Sequence, residues 1–186
     1  MPTINGKVCV VNGTPVDKVF SNGKQVYGRN LIVRSDLKYA YINRDNGTNN
    51  YDGSDFISDD YIATNGETVF TFSSPDYVFK GSGNHSLAMY DSDKNFLGWQ
   101  SITSPTQTLS KPNAAYIRFS INFTDEGGAS DHLSDWLDNH RYKLEKGSIA
   151  TPYLPAPEDV LKDYIAAPRN LTATIIDLGT EKLDWE

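Results

Sequence analysis

The clearest pattern in the chain is an alternation of apolar and polar side chains in AYIRFSINF, at residues 115–123. One face carries only apolar side chains, namely Ala115, Ile117, Phe119, Ile121 and Phe123. The other face carries Tyr116, Arg118, Ser120 and Asn122. A period of two over this length is typical of a half-buried antiparallel strand. The pattern therefore predicts a strand with one face on a core and the other face in solvent.

Shorter apolar runs between turn signals predict further strands. GETVFTF at 66–72 is rich in β-branched and aromatic residues, as strands are. SLAMYDSDKNFLGWQSI at 86–102 predicts a hairpin, because two apolar arms flank a polar turn. Asn-Gly pairs, which tolerate the positive φ angles of tight turns, occur at 5–6, 12–13, 22–23, 46–47 and 65–66.

One alternating run leads into a proline-rich exit. In RYKLEKG, at 141–147, Tyr142 and Leu144 are predicted to face the core. The opposite face would carry Arg141, Lys143 and Glu145. Prolines follow at positions 152, 155 and 157, and proline cannot donate a ladder hydrogen bond. We therefore expect the β-strand domain to end near residue 155.

Two short helices are predicted near the end of the chain. In SDHLSDWLDNH, at 130–140, Leu133, Trp136 and Leu137 fall at helical spacing, which favours a structural role for Trp136. In PEDVLKDYIA, at 157–166, a proline and two acids suit a first helical turn.

Many short strands, frequent turns and little helix favour an all-β fold, a β-sandwich with one or two short helices. We expect a hairpin-like lead-in over 1–28, the sandwich over 29–155, a linker with a short helix over 156–168, and a separate tail over 169–186.

The net charge of -7 argues against a nucleic-acid partner. No apolar run approaches the roughly 20 residues that cross a bilayer, and the start of the chain lacks the pattern of a signal peptide, so no membrane insertion is expected.

Several segments resemble, in order, carbohydrate-binding-type modules in tail and baseplate proteins of phages that infect Gram-positive bacteria. They are VFSNGKQVYGRNLI, YIATNGETVFTF, LAMYDSDKNFLGW, KPNAAYIRFSINF and RYKLEKGSIATPYLPAPED, within 19–159. The resemblance implies a jelly-roll β-sandwich that binds a saccharide of the host cell wall. It also implies a place in the virion, at the tail tip or baseplate, beside other virion proteins. The tail resembles the first two strands of a fibronectin type III domain at Pro168, Leu171, Ala173 and Trp185. Only a truncated start of such a domain would be present, or the tail pairs with another element.

Saccharide recognition needs flat aromatic faces and planar polar groups. Trp99, beside Gly98 on a hairpin arm, is the best single platform in the sequence, although it also suits a core. The predicted ligand-binding residues are Trp99, Tyr90, Tyr116, Arg118 and Asn122. Arg141, Lys143 and Glu145 join them if their strand lies in the same sheet. The alternative is an ordinary solvated face, with Arg118 and Glu145 paired across strands. Tyr77 is a further candidate, and the polar stretch at 41–56 with Tyr51 is either a functional loop or a plain connection.

Metal and catalytic signals are weak. Asp91, Asp93 and Asn95 have the spacing of the first ligands of an EF-hand, but Phe96 replaces the glycine and Ile102 the closing glutamate, which favours a hairpin turn. No cofactor is predicted, although carbohydrate modules of the resembled kind often hold a structural calcium ion. The chain lacks HxxxH, HExxH, a glycine-rich phosphate loop and GxSxG, so we expect no enzyme. A pair of carboxylates for glycoside hydrolysis remains open, because such pairing is spatial.

The sequence thus predicts a non-catalytic carbohydrate-binding module of a phage tail or baseplate protein, with bacterial cell-wall polysaccharide and other virion proteins as partners. The alternative is a structural spacer or docking domain that contacts only other virion proteins.

Overall fold

The computed structural model describes residues 9–11, 14–51, 53–75, 82–123 and 132–160. Antiparallel strands dominate this part of the chain, which confirms the all-β class. In chain order the strands are β1 (Val10–Val11), β2 (Thr14–Pro15), β3 (Lys18–Ser21), β4 (Lys24–Gly28), β5 (Leu37–Tyr39), β6 (Tyr41–Ile42), β7 (Asn49–Asn50), β8 (Asp55–Ser58), β9 (Ile62–Ala63), β10 (Val69–Ser73), β11 (Ser82–Tyr90), β12 (Phe96–Ile102), β13 (Thr106–Thr108), β14 (Tyr116–Asn122) and β15 (Lys143–Lys146). A 3₁₀ turn spans Arg34–Asp36 and helix α1 spans Leu133–His140.

Two sheets make the body of the protein. The six-stranded sheet has the order β12-β11-β14-β8-β5, and β9 also pairs with β14. The three-stranded sheet has the order β13-β10-β15. The strand predicted from AYIRFSINF is β14, which lies inside the six-stranded sheet between β11 and β8.

The main core lies between these two sheets. Phe70, Phe72 and Leu144 of the three-stranded sheet share one apolar cluster with Leu87 and Phe119 of the six-stranded sheet. All five side chains are buried, and apolar burial of this kind is the main favourable term in folding.

Helix α1 closes one end of this core. Trp136 is fully buried, with its ring centroid 5.7 Å from that of Phe56 and 5.1 Å from that of Tyr142. The helix ends at Arg141, whose φ of 47° is left-handed and whose N–H donates to the Leu137 carbonyl. The predicted structural role of Trp136 is therefore confirmed. Of the second predicted helix, residues 157–160 are helical, and the rest lies outside the described residues.

The lead-in forms a small hairpin of β3 and β4 around an Asn-Gly turn. Asn22 and Gly23 have φ angles of 50° and 71°. Positive φ at both central residues is the requirement of a two-residue type I′ turn, which Asn-Gly meets at low cost. This Asn-Gly turn, predicted from sequence, is confirmed.

A second hairpin, β6 with β7, covers the other face of the six-stranded sheet. Ala40 and Ile42 pack there against Ile57, Ala88 and Tyr90 in a separate apolar cluster. Within the polar stretch at 41–56, residues 41–50 thus form a second layer rather than a plain connection, whereas Asp55 and Phe56 belong to β8 of the sheet itself. The expectation that this face of β14 lies in solvent is wrong, because the hairpin removes much of it from water.

Strand β15 also departs from the expected pattern. Tyr142 and Leu144 are buried as predicted, but Lys143 and Glu145 are also fully buried. Lys143 Nζ lies 3.3 Å from Glu145 Oε1. The prediction that these two charges face outward is wrong, because the exit segment folds back over them.

Thr151 in the exit segment satisfies both buried charges. Its hydroxyl accepts from Lys143 Nζ at 2.6 Å and donates to Glu145 Oε2 at 2.8 Å, and its N–H donates to Glu145 Oε1 at 2.8 Å. The same hydroxyl accepts from the Gly28 N–H at 3.0 Å. Burial lowers the pKa of the Lys143 ammonium, and the Glu145 carboxylate opposes that shift. This network, called here the Thr151 clamp, joins β4, β15 and the exit.

Ion pairs reinforce the junction between lead-in and exit. Asp17 accepts from Arg29 Nη1 at 3.2 Å and from Lys146 Nζ at 2.6 Å. Arg29 also pairs with Glu158.

The domain limits proposed from the sequence stay a prediction, and the fibronectin-like residues 169–186 lie outside the described part. Within the described residues, no helix is long and apolar enough to pass through a membrane.

Candidate functional site

Strand register places several of the predicted site residues on one face. Trp99 and Arg118 both pair with Ala88, and Tyr116 pairs with Tyr90. Directly paired residues of antiparallel strands point to the same side of a sheet. These side chains therefore lie on the face covered by β6 and β7, which we call the hairpin face.

Arg118 is a buried anchor of the hairpin face. Only 4% of the residue is exposed. Its Nε and Nη2 donate to the Ser58 carbonyl at 2.9 and 2.6 Å, and its Nη1 donates to Asn49 Oδ1 at 2.9 Å. The expectation of a solvent-facing arginine is wrong, because its donors bind β8 and hold β7 on the sheet.

Tyr90 holds the turn of the same hairpin. Its hydroxyl donates to the Gly47 carbonyl at 2.9 Å, and the residue is 2% exposed. Burial raises the pKa of this phenol above its ordinary value. Gly47 has a φ of 72°, and a Cβ there would lie 2.5 Å from the ring of Phe96. Tyr90 is therefore a packing residue, and the prediction that it is available to a ligand does not fit its burial.

A half-buried pair of tyrosines lies beside these anchors. The rings of Tyr61 and Tyr116 stand edge to face, at 79° with centroids 6.0 Å apart. Lys94, in the turn between β11 and β12, places its Nζ 4.7 Å from the Tyr61 centroid and 5.8 Å from the Tyr116 centroid. Such rings can stack on a pyranose or attract a cation through the ring quadrupole.

Trp99 lies on the hairpin face at the edge of the sheet. It is half-buried, in the edge strand β12. Its cross-strand neighbour is the small side chain of Ala88, and Gly98 precedes it with a φ of 157°. A large half-buried ring beside small residues suits the stacking role predicted from the sequence.

The far end of the hairpin face is polar. Ser120 Oγ donates to Asp55 Oδ2 at 3.1 Å, and both residues are buried. Asn122 is half-buried, and its backbone N–H donates to His85 Nδ1 at 3.1 Å. His85 is fully buried, so this imidazole acts as a hydrogen-bond acceptor inside the fold.

The remaining predicted site residues lie elsewhere. Lys143 and Glu145 belong to β15, in the three-stranded sheet, whereas Arg118 belongs to β14 in the six-stranded sheet. Arg141 is exposed, at the C-terminal end of α1. The proposed single binding face is therefore wrong for these three residues, and so is the alternative pairing of Arg118 with Glu145.

Sequence reasoning missed Tyr61 and Lys94. Tyr61 lies in the short connection between β8 and β9 and carries no alternation of its own, so no local signal marks it. For Lys94 a signal exists, because the hairpin turn at 91–95 follows Tyr90, and Tyr90 pairs with Tyr116. Once β11 is paired with β14, that turn has to lie beside Tyr116.

The turn at 91–95 is a hairpin turn, as favoured from the sequence. Asp91 Oδ1 accepts from the N–H groups of Asp93 and Asn95 at 2.9 and 2.8 Å. These hydrogen bonds, with one from the Asn95 amide as the largest cause, lower the pKa of the Asp91 carboxyl. In the described part of the chain, no three His, Cys, Asp or Glu side chains are grouped so that they could hold a metal ion.

A small cavity lies between lead-in, helix and exit, away from the hairpin face. Its volume is about 10 Å³, and Asn30, Tyr142 and Tyr153 are among its lining residues. This is the space of about one water molecule, whereas ligand pockets measure roughly 300 Å³ or more. This cavity is therefore too small to hold a saccharide.

Comparison of the chain with protein-family models, with curated proteins and with solved structures finds no match. The resemblance to phage tail modules accordingly stays a prediction from the sequence. The function has to be inferred from the residues and their arrangement.

Proposed function

We propose that this protein is a non-catalytic carbohydrate-binding module with a jelly-roll β-sandwich, carried on a phage tail or baseplate. In this proposal it acts outside the bacterial cell, where it binds a cell-wall polysaccharide and adheres the virion to its host. Trp99, Tyr61 and Tyr116 are the proposed contact residues.

One observation carries the proposal: three half-buried aromatic side chains lie on the hairpin face, Trp99 at its edge and Tyr61 with Tyr116 at one end. Stacking on a sugar ring requires an aromatic face that is held still and yet reachable. Half-burial provides both, because the buried part of each ring fixes its orientation. Arg118 and Tyr90 hold the hairpin of β6 and β7 on the same face, through hydrogen bonds to Asn49 and Gly47.

Contacts of this kind are individually weak. A shallow site without a deep pocket is expected to bind one saccharide with a dissociation constant on the order of millimolar to micromolar. Several copies on one particle raise the effective affinity, because the second contact forms at a high local concentration. Adhesion through this module thus requires multivalent display.

A fluorescent fusion of the full chain tests the proposal. Displayed in several copies, it is expected to label cells of a suitable Gram-positive host, and the substitutions Trp99→Ala and Tyr116→Ala should each weaken that labelling. Tyr51→Ala serves as the matched control, since Tyr51 is 74% exposed and contributes to no described aromatic pair. Circular dichroism of each variant checks that the fold is retained.

The outcomes are distinct. Absence of labelling by a folded, multivalent fusion, tested over a panel of hosts, would overturn the adhesion function. Labelling that survives both Trp99→Ala and Tyr116→Ala would overturn the assigned contact residues while leaving adhesion in place.

A second candidate is a structural spacer in the baseplate, and the Thr151 clamp favours it. Gly28 N and Thr151 Oγ1 lie 3.0 Å apart, so the incoming and outgoing segments are held together in a fixed geometry. A rigid junction of this kind suits a part that orients its neighbours. A spacer predicts no cell labelling, and a defect in particle assembly rather than in adhesion when Trp99 is replaced.

A further inference from the structure

The tyrosine pair already holds an ammonium group, which belongs to the chain itself. Lys94 Nζ lies 4.7 Å from the centroid of Tyr61 and 5.8 Å from that of Tyr116. A cation within about 6 Å of a ring centroid is attracted by the negative face of the ring. Two rings at 79° make a corner whose electrostatic preference is for a positive charge.

Lys94 is well placed to leave this corner. Its side chain is exposed and extends from a hairpin turn, so an outward swing leaves the ammonium in water. Among the described residues, no carboxylate forms an ion pair with it. A cation–π contact at an exposed site is worth only about two- to five-fold in an equilibrium constant, so a ligand cation can compete.

The segments that carry Tyr61 and Lys94 also carry acidic side chains. Asp60 precedes Tyr61 and is exposed, and Asp91 and Asp93 lie in the turn that carries Lys94. The guanidinium of Arg118 is a second cation at Tyr61, 5.4 Å from the ring centroid, but it is buried and hydrogen-bonded to the Ser58 carbonyl, so it stays fixed whereas Lys94 can move. The chain as a whole carries a net charge of -7.

From these contacts we infer that Tyr61 and Tyr116 form an ammonium-binding site whose ligand is a saccharide bearing a positively charged nitrogen. Lys94 occupies the site when no ligand is bound. This inference rests on the proposed saccharide-binding function and specifies the ligand class, an amino sugar with a free amine or a glycan substituted with an ammonium group.

Choline and its uncharged isostere 3,3-dimethylbutan-1-ol provide the first test, because they share a shape and differ in charge. Titrated into the isotopically labelled full chain, choline is expected to shift the ring resonances of Tyr61 and Tyr116, whereas the alcohol leaves them in place. Equal shifts with both compounds, or none with choline, would overturn the ammonium site.

Lys94→Gly tests the part played by the lysine. Glycine suits the φ of 64° at this position, so the turn is preserved. Loss of the competing cation should tighten choline binding about two- to five-fold, the worth of one exposed cation–π contact. An unchanged affinity would contradict the role of Lys94 as occupant.

Tyrosine variants test the rings. Tyr116→Leu should weaken choline binding, while Tyr116→Phe should retain it, since the phenol oxygen takes no part in cation–π attraction. Tyr51→Leu is the control for general loss of surface aromatics. Loss of binding in Tyr116→Phe as well would assign the effect to the hydroxyl and overturn the proposed chemistry.

Glucosamine and N-acetylglucosamine separate this inference from the proposed function. Glucosamine, titrated at a pH where its amine is charged, is expected to bind more tightly than the acetylated sugar, whose nitrogen is neutral. Host-cell labelling without any preference for glucosamine would leave the adhesion function standing and overturn the ligand class. Choline binding without labelling of host cells would support the ammonium-binding site and overturn the saccharide-binding function.

Discussion

Gly28 lies against the buried carboxylate of Glu145. A Cβ at this position would overlap with Glu145 Oε2. Gly28→Ala should therefore destabilise the fold by about 1–3 kcal/mol, the usual range for inserting a methyl group into a packed site. Urea denaturation measures this loss.

Gly53→Ala is the matched control for Gly28→Ala. A Cβ at position 53 meets nothing within 4 Å, so the added methyl group has room. The free energy of unfolding should then stay within about 0.5 kcal/mol of its original value. Equal losses in the two variants would contradict the packing of Gly28 on Glu145.

Lys143 and Glu145 are coupled through Thr151, and the strength of this coupling is measurable. Lys143→Met leaves the buried Glu145 carboxylate without its cation, which should cost about 3–5 kcal/mol. In the double variant Lys143→Met with Glu145→Gln no charge remains, so the combined loss should be smaller than the sum of the single losses. A double-mutant cycle in urea checks this, and strictly additive losses would show that the two charges do not interact.

At the scale of single elements, the lead-in hairpin adds acid sensitivity to the fold. Burial disfavours the ionised form of Asp17, but the hydrogen bonds and charges of Lys146 and Arg29 outweigh it and lower the pKa of the carboxyl below 3.8. The stability from this carboxylate is fully present above pH 3.8, and it is lost as the pH falls through the lowered value.

Asp17→Asn tests this linkage. At neutral pH it should cost about 2 kcal/mol, because hydrogen bonds to charged groups contribute on that order and Lys146 is left buried without its carboxylate. Below pH 3.8 the difference from the original protein should shrink. Urea titrations over this pH range measure both effects, with the exposed Asp45→Asn as a control. A loss that is independent of pH would contradict the ion pairs.

The pattern of strand β14 shows what alternation reveals and what it leaves open. The side chains of Phe119 and Arg118 were correctly assigned to opposite faces, because a period of two fixes the faces of a strand. Alternation does not reveal that a distant hairpin covers the polar face. The residues that do so include Gly47 and Asn49, about 70 residues earlier, in a mainly polar stretch whose apolar Ile42 also packs on this face.

The prediction that one face of strand β15 is exposed was wrong for a related reason. Lys143 and Glu145 are charged side chains in an alternating run, which normally marks a solvent face. Their burial depends on Thr151, whose hydroxyl and N–H satisfy both charges at once. These hydrogen bonds among three residues exist only in the folded protein, and the spacing of residues along the chain does not predict them. The contact between Tyr61 and Lys94 was missed for the same reason, because it forms only after the strands have paired.

At the scale of the whole molecule, the exit segment completes the sandwich. Residues 148–160 contribute Thr151 to the clamp and Glu158 to the pair with Arg29. A chain ending at residue 147 exposes Lys143 and Glu145 and should be much less stable than a chain ending at residue 160. Thermal unfolding of the two chains measures the difference. Equal midpoints would contradict the structural role of the exit segment.

The Thr151 clamp also decides how the domain responds to tension. Gly28 and Thr151 are 123 residues apart in the chain and hydrogen-bonded to each other. A pull applied to the chain at Gly28 and Thr151 would act directly on this hydrogen bond, because the two residues are its partners. Under such a load we expect this contact to break before the contacts of β11 and β14, so the tyrosine pair and Trp99 should keep their geometry.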